Sequence, residues 1–408
     1  MDFPGGVAAA GSDTASARNS PGSAALDASL QDAIAREDVP GVVALITDLE
    51  RVLYRGAFGV ADVATRRPLT SDALFRIASM TKPITSLALM QLVEQDRLGL
   101  DDPAEKYLPE LAGLQVFESF DSATGAYRLR PASRPPTVRH FLTHTSGLAY
   151  PFTSAIWSDF KPRAGETYPF GGPLLFDPGE RWHYSTSTDV VGRLVEVLSG
   201  QKLEQYFREH IFAPLKMDDT FYNVPEAKGA RLAAQQQRAG ERMDGAVELQ
   251  EPQPGLTIAE PIGGGGLAST ADDYGRFTRM LLNGGTLEGA RVLKAGTVAL
   301  MGHNHIGAVS VPALKSALPR SADFTFVADG RDKFGLGYLI TVDQAQGKRS
   351  PGSLSWGGIN NTFFWIDPTR GIAGVIMMQF LPFVDAGAMA VHDVFERGAY
   401  QLVNAGRR

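Results

Sequence analysis

The first residues of the chain, 1 to about 24, are Gly/Ala/Ser-rich and polar with no periodicity, which predicts a flexible tail. Leu26 to Ile34 has helical spacing. Gly41 to Thr47 and Val52 to Phe58 are β-rich runs separated by the polar Asp48-Leu-Glu-Arg51, the pattern of a hairpin. Residues 101 to about 285 read as helix and loop. Short helices are predicted after Asp101-Asp-Pro103 and over Thr137 to His144, with longer ones from Asp189 to Leu198 and from Lys202 to Ile211, ahead of Pro214. The Gln-rich stretch 228–260 has little periodicity and reads as a loop at a pocket rim. Ser269-Thr-Ala-Asp-Asp273 opens another helix. The last third is strand-like: Phe334 to Val342, Ser353 to Trp356, Asn361 to Ile366 and Ile372 to Gln379, before a closing helix from about Ala386 to Leu402. Strands at both ends with helices between them predict an α+β fold, one antiparallel sheet with a mostly helical domain inserted. The boundaries follow as a sheet domain of 25–78 and 286–408 and a helical domain of 79–285, with a site at their interface.

Composition narrows the function. The 408 residues are 44% apolar and 21% charged, as in an ordinary globular protein. A net charge of −6 argues against nucleic acid or an anionic membrane as partner. The absence of cysteine excludes disulfides, thiolate metal sites and a cysteine nucleophile. The N-terminus lacks the basic start and apolar core of a secretory signal, and the apolar run Gly371 to Val384 is too short to span a bilayer. A cytoplasmic protein without a membrane partner is expected.

The stretch with candidate chemistry is Ala78-Ser79-Met80-Thr81-Lys82-Pro83, followed by an apolar helical run to about Leu98. Proline is tolerated in a helix's first turn, so Pro83 sets the helix start at or near Ser79. Three residues is roughly one turn, which puts Ser79 and Lys82 on one face about 5–6 Å apart at Cβ. The helix N-terminus also favours negative charge at Ser79. Alone, Ser-x-x-Lys describes an N-cap serine and a solvated lysine equally well. Two further segments carry matching chemistry. Gly179-Glu-Arg-Trp-His-Tyr184 precedes a helix, and a tyrosine there acts as a base only if a cation such as Lys82 lowers its pKa from about 10. Leu354-Ser-Trp356-Gly357-Gly358-Ile359 has paired glycines in a strand, which mark the close approach of a ligand or another backbone.

In this order and spacing the three elements resemble the serine β-lactamase/penicillin-recognising superfamily. The likeness is to its class C-like branch and above all to the family VIII carboxylesterases. It extends over about residues 26–402 and includes Leu74 to Pro83, Leu142-Thr-His-Thr-Ser-Gly-Leu148, Pro178-Gly-Glu180, Gly264-Gly-Gly-Leu267 and Phe334-Gly-Leu-Gly-Tyr338. The resemblance implies a β-lactamase-like fold and an acylated nucleophile at Ser79. It implies proton transfer shared by Lys82 and Tyr184, with Lys82 keeping Tyr184 partly ionised. It also implies an oxyanion hole from the N–H groups of Ser79 and Ile359, no cofactor and no metal. Trp356, Gly357, Gly358 and Thr186 would bind substrate.

Two departures bear on the substrate. Trp356-Gly357-Gly358 stands where class C β-lactamases carry Lys-Thr-Gly, and Thr186 stands where they carry an asparagine. Losing both polar anchors disfavours an anionic amide more than a neutral ester. A small carboxylic ester is therefore the expected substrate. An acyltransferase, a D-amino-acid amidase or peptidase, a weak β-lactamase and a silent binding protein on the same scaffold stay open. Trp157, Phe160, Tyr168 and Phe170 suggest an apolar pocket rim, His144 a structural hydrogen-bonding role, and His303-Asn-His305 a solvated loop. No Gly-x-Ser-x-Gly elbow occurs, and the glycines at 263–266 lack the Gly-Lys-Ser/Thr of a phosphate loop.

Overall fold

The computed structural model describes residues 21–238, 258–319, 321–323 and 330–406. Most of the expected tail and the middle of the Gln-rich stretch lie outside the described residues. Residues 21–24 belong instead to helix α1 (Pro21–Ala35), whose Leu26 and Leu30 are buried. No helix among the described residues is long and apolar enough to cross a membrane.

The frame is one eight-stranded sheet built from both ends of the sequence. Its strands are β1 (Gly41–Asp48), β2 (Val52–Asp62), β3 (Arg67–Pro68), β4 (Lys333–Phe334), β5 (Leu339–Ile340), β6 (Leu354–Gly358), β7 (Thr362–Asp367) and β8 (Ile372–Met377). They run in the order β4-β5-β6-β7-β8-β1-β2-β3, with every neighbour antiparallel. Val43 of β1 pairs with Ala57 of β2 on one side and Met377 of β8 on the other. β6, β7 and β8 are buried along their whole length, because helices cover both faces of the sheet.

Helix α4 (Ala271–Leu282) lies on one face. The Tyr274 ring packs at 5.1 Å from Phe364, and Gly275 lets the helix settle on Leu45, where a Cβ would come within 2.8 Å. The sequence grouped this helix with the helical part; its contacts are with the sheet. The other face carries helix α5 (Ala386–Gly406), whose Tyr400 stacks on Trp365 at 5.3 Å and donates to Asp367 at 2.7 Å. Between residues 79 and 260, helix α2 (Thr81–Glu94) packs on helix α3 (Ser187–Ser199). α2 is buried on every side from Thr81 to Leu92, including Lys82 and Gln91, rather than on one broad face.

Three predicted elements take a different form. Phe334 to Val342 is not one strand: β4 and β5 fold back on each other through Gly335-Leu-Gly-Tyr338, and Gly337, at φ +99°, turns the chain against Ser86 of α2. The helix from Lys202 does not stop before Pro214; a π turn over Arg208–Phe212 carries it on to Leu215. A hairpin of Gln115–Phe120 with Tyr127–Pro131 stands where helix and loop were expected, and its first strand buries only Val116, so the alternation that marks a strand is weak.

α5 is anchored by an ion pair beneath the sheet. The Arg349 guanidinium donates to Glu396 at 2.7 and 3.1 Å, and the Arg349 N–H adds a bond of 3.1 Å. Burial works to raise the Glu396 carboxyl, but Arg349 outweighs it and holds the group down at about 2. The stability from this pair is complete above the ordinary glutamate value near 4.5 and is lost as pH falls toward 2. Glu396→Gln leaves Arg349 buried without its counter-charge and is expected to cost about 3–5 kcal/mol in urea unfolding at neutral pH. The variant should also lose less stability than wild type between those two pH values.

Candidate active site

Ser79 sits in a 3₁₀ turn, Ala78–Met80, that feeds directly into α2. Ala78 is held at φ +45°, the left-handed region that costs a residue with a Cβ about 1–3 kcal/mol. The surroundings hold the turn from several sides. The N–H of Arg76 donates to Gln379 Oε1 and that of Ile77 to Leu267 O, both at 2.9 Å. Asn360 Nδ2 donates to the Arg76 carbonyl and Tyr274 Oη to the Met80 carbonyl, again at 2.9 Å. Ser79 is not an N-cap; no side chain caps this helix start.

Lys82 lies one turn on, 2% exposed, and its Nζ donates to Ser79 Oγ at 3.1 Å and to the Gly264 carbonyl at 2.6 Å. It also lies 4.9 Å from the centre of the Tyr184 ring and 5.2 Å from that of Tyr150, so two aromatic faces replace part of its lost hydration. Tyr184 comes from the loop before α3, and its Oη donates to Ser79 Oγ at 2.6 Å. Thr153 Oγ1 fixes that loop through the Tyr184 carbonyl at 3.0 Å. The Tyr184 ring is wedged between His144 at 5.1 Å, Tyr150 at 5.2 Å and Trp356 at 5.1 Å.

His144 is a wall, not a base. Its Nδ1 meets Ser185 Oγ at 3.2 Å, and burial, with Lys82 adding to it, drives its pKa well below the usual value. The imidazole therefore stays neutral at physiological pH and orders the segment beside Tyr184, as the sequence suggested.

β6 supplies the opposite wall. A Cβ on Gly358 would collide with the Ile77 carbonyl, and one on Gly357 would sit 2.7 Å from the Phe363 ring. Gly358 thus lets the strand end touch the Ser79 turn, while Gly357 makes room for Phe363 of the neighbouring strand. That contact brings Ile359 to the mouth of a narrow pocket lined by Ser79, Phe152, Tyr184, Trp356, Gly357, Ile359 and Phe383. Its open volume, about 20 Å³, holds one or two waters. No charged side chain lines it among the described residues.

The structure therefore gathers Ser79, Lys82, Tyr184, Trp356, Gly357 and Ile359 in one place. Thr186 points elsewhere: its hydroxyl donates to the Phe170 carbonyl at 2.9 Å. The expected aromatic rim is not at this pocket. Trp157 bonds the Pro173 carbonyl at 2.9 Å, and Phe160 packs on Phe117 and Tyr127. His305 is not solvated but half-buried between Arg139 and the Leu300 carbonyl. Sequence reasoning expected residues 150–175 at the pocket wall but did not name Phe152 within them, and it missed Phe383, which comes from a distant segment without a motif. It also missed the Gly264 carbonyl, for which the glycine run was the available signal.

The beta-lactamase family model matches residues 26–396, and the chain belongs to that family. A Mycobacterium tuberculosis protein, Rv1367c, is 34% identical over 86% of this chain and 88% of its own length. The lovastatin esterase of Penicillium rubens is 31% identical over 93% and 99%, and the monacolin J acid methylbutanoyltransferase of Aspergillus terreus 28% identical over 93% and 96%. Among solved structures, a mutant of simvastatin synthase from Aspergillus terreus superposes with a TM-score of 0.80 at 28% identity, covering 94% of this chain and 98% of its own. The fold is β-lactamase-like and the protein is an enzyme of the serine hydrolase and acyltransferase kind.

Gly358→Ala tests the close approach of β6 to the Ser79 turn. The added methyl must push the strand off the Ile77 carbonyl, so labelling of Ser79 by a fluorophosphonate is expected to slow at least about tenfold, a shift of about 1.4 kcal/mol. Unchanged labelling in a folded variant would show that the contact is dispensable.

Proposed function

We propose that the protein is a serine carboxylesterase that hydrolyses small, neutral carboxylic esters through an acyl-enzyme on Ser79. The observation that carries this reading is the position of Ser79 Oγ, 2.6 Å from Tyr184 Oη and 3.1 Å from Lys82 Nζ, under an uncharged wall of Trp356, Phe152 and Phe383. Ser79 Oγ attacks the ester carbonyl while its proton passes to the Tyr184 oxygen, which has first released its own proton to solvent. Lys82 stabilises the negative charge shared by the two oxygens. The oxyanion is met by the N–H groups of Ser79 and Ile359, worth a few kcal/mol in systems of this type. The bond to the alcohol breaks, the departing oxygen takes the proton back through Tyr184, and water repeats the sequence on the acyl-enzyme.

A neutral ester fits this pocket better than a β-lactam. An anionic substrate needs a cation or paired donors at its carboxylate. Trp356 offers an aromatic face there, and the Thr186 hydroxyl is engaged with Phe170. The small open volume favours short acyl groups unless Phe152 or Phe383 turns aside. A second reading keeps the site and changes the acceptor. The relatives include a protein named as a methylbutanoyltransferase beside one named as an esterase, so transfer of the acyl group to an alcohol follows the same chemistry with a different second nucleophile.

Hydrolysis of p-nitrophenyl butyrate beside a chromogenic cephalosporin tests the proposal. Ester turnover is expected to exceed lactam turnover by at least about a hundredfold, about 2.7 kcal/mol in transition-state stabilisation, and to vanish in Ser79→Ala. Dominant lactam turnover would overturn the substrate argument, and ester activity surviving in Ser79→Ala would overturn the mechanism. A new ester formed when a bulky alcohol is added would identify the transferase.

A further inference from the structure

The buried Lys82 ammonium needs a counter-charge, and neither Ser79 nor the Gly264 carbonyl supplies one. A carboxylate that interacts with it lies on the far side of the Gly263–Gly266 run. Asp189, in the first turn of α3, accepts the Gly264 N–H on Oδ1 at 2.7 Å, while the carbonyl of the same glycine accepts Lys82 Nζ at 2.6 Å. Residue 264 is therefore gripped at both ends, by a carboxylate on α3 and an ammonium on α2. Its α-carbon is crowded as well: a Cβ would lie 2.6 Å from Asp189 Oδ1 and 2.9 Å from Tyr150 Oη. At Gly263 a Cβ would collide with the Thr188 carbonyl and come within 2.9 Å of Thr85 Cγ2. Gly263 and Gly264 lack side chains because they thread between α2 and α3, and they do so at the level of Lys82.

We propose that Asp189 is a positioning residue of the active site, which seats Lys82 through Gly264 and supplies the negative charge that balances the ammonium. The inference rests on the reading of Ser79, Lys82 and Tyr184 as the catalytic group. Asp189 does not line the pocket, so its effect runs through the charge and position of Lys82 and not through contact with substrate. The helix start favours an anion in this first turn. Burial raises the Asp189 carboxyl above the usual carboxylate range, and Lys82 and the Gly264 N–H offset part of that rise. The other groups facing Lys82 are the Ser79 hydroxyl, the rings of Tyr184 and Tyr150, and His144. Burial keeps His144 neutral, and it keeps the Tyr150 phenol protonated, with Asp189 and Tyr184 adding to that effect. Asp189 is thus the carboxylate of this set, and Tyr184 is charged only when it acts as the base.

An anion beside a group that exchanges protons favours its protonated form. Removing the charge while keeping the acceptor should therefore move both limbs of the pH profile to lower pH. The test is the pH dependence of kcat/KM for p-nitrophenyl butyrate in wild type, Asp189→Asn and Asp189→Ala, with melting temperature and fluorophosphonate labelling measured in parallel. Asp189→Asn is expected to shift both limbs down by about one pH unit, as a charge at this range implies. It should lower kcat about tenfold with KM within about twofold, since the pocket is untouched. Asp189→Ala, which also frees Gly264, should lose more kcat, about a hundredfold. Should Asp189→Asn not fold, Asp189→Ser (shorter, polar and uncharged) carries the same comparison.

A folded Asp189→Asn with unshifted limbs and wild-type kcat would overturn the inference. So would a loss of activity that follows melting temperature alone, because a merely structural residue does not move the limbs. Either outcome leaves the catalytic reading standing if wild type still labels at Ser79. Activity retained in Ser79→Ala would remove that reading first, so the two failures are distinct.

Discussion

The site depends on a single buried cation. An ammonium taken out of water costs several kcal/mol unless its hydrogen bonds and charge are met. Much of the local architecture meets the needs of Lys82. The Gly264 carbonyl and Ser79 Oγ accept from it, and Tyr150 and Tyr184 turn their faces to it. The same constraint explains Gly263 and Gly264, because a carbonyl can reach the lysine between two packed helices only where the chain carries no side chain. It also explains why Ser79 starts the helix, since one turn is the spacing that lets a lysine reach back to a serine hydroxyl.

Around this cation the fold combines rigid and strained parts. The sheet is shared by the two ends of the sequence, so the strand end at Gly358 and the turn at Ser79, far apart in the chain, are fixed against each other by one body. Ala78 is held at a positive φ, and hydrogen bonds from Arg76, Ile77, Asn360 and Tyr274 keep the turn in place. Backbone strain persists only where surrounding bonds over-determine it, and they do so at Ala78.

Much of this was legible in the sequence, for physical reasons that also mark where legibility ended. The Ser79–Lys82 spacing and the position of Pro83 carry the helix start. The alternation and turns at Gly41 to Phe58 and Ser353 to Gln379 carry the central strands and imply one sheet. Tyr184 and Gly357-Gly358 were visible as motifs, although only the fold shows that Tyr184 Oη reaches Ser79 Oγ. Phe383 left no trace, because a pocket wall made by single side chains from remote segments has no period, and Phe152 did not stand out within its own segment. β4 and β5 were merged into one strand because two residues give too short an alternation to separate. His305 was read as solvated because a lone loop histidine carries no sign of its partner, Arg139.

The most direct test of the account is the single-turnover rate of p-nitrophenol release from p-nitrophenyl butyrate, with enzyme in excess, for Lys82→Met against wild type. Methionine fills the volume without the charge. The account predicts a folded variant that melts below wild type, since Asp189 and the Gly264 carbonyl lose their buried partner, and that acylates at least about a thousandfold more slowly. Acylation at the wild-type rate in Lys82→Met would contradict it, because the cation around which the site is arranged would then have no part in the chemistry.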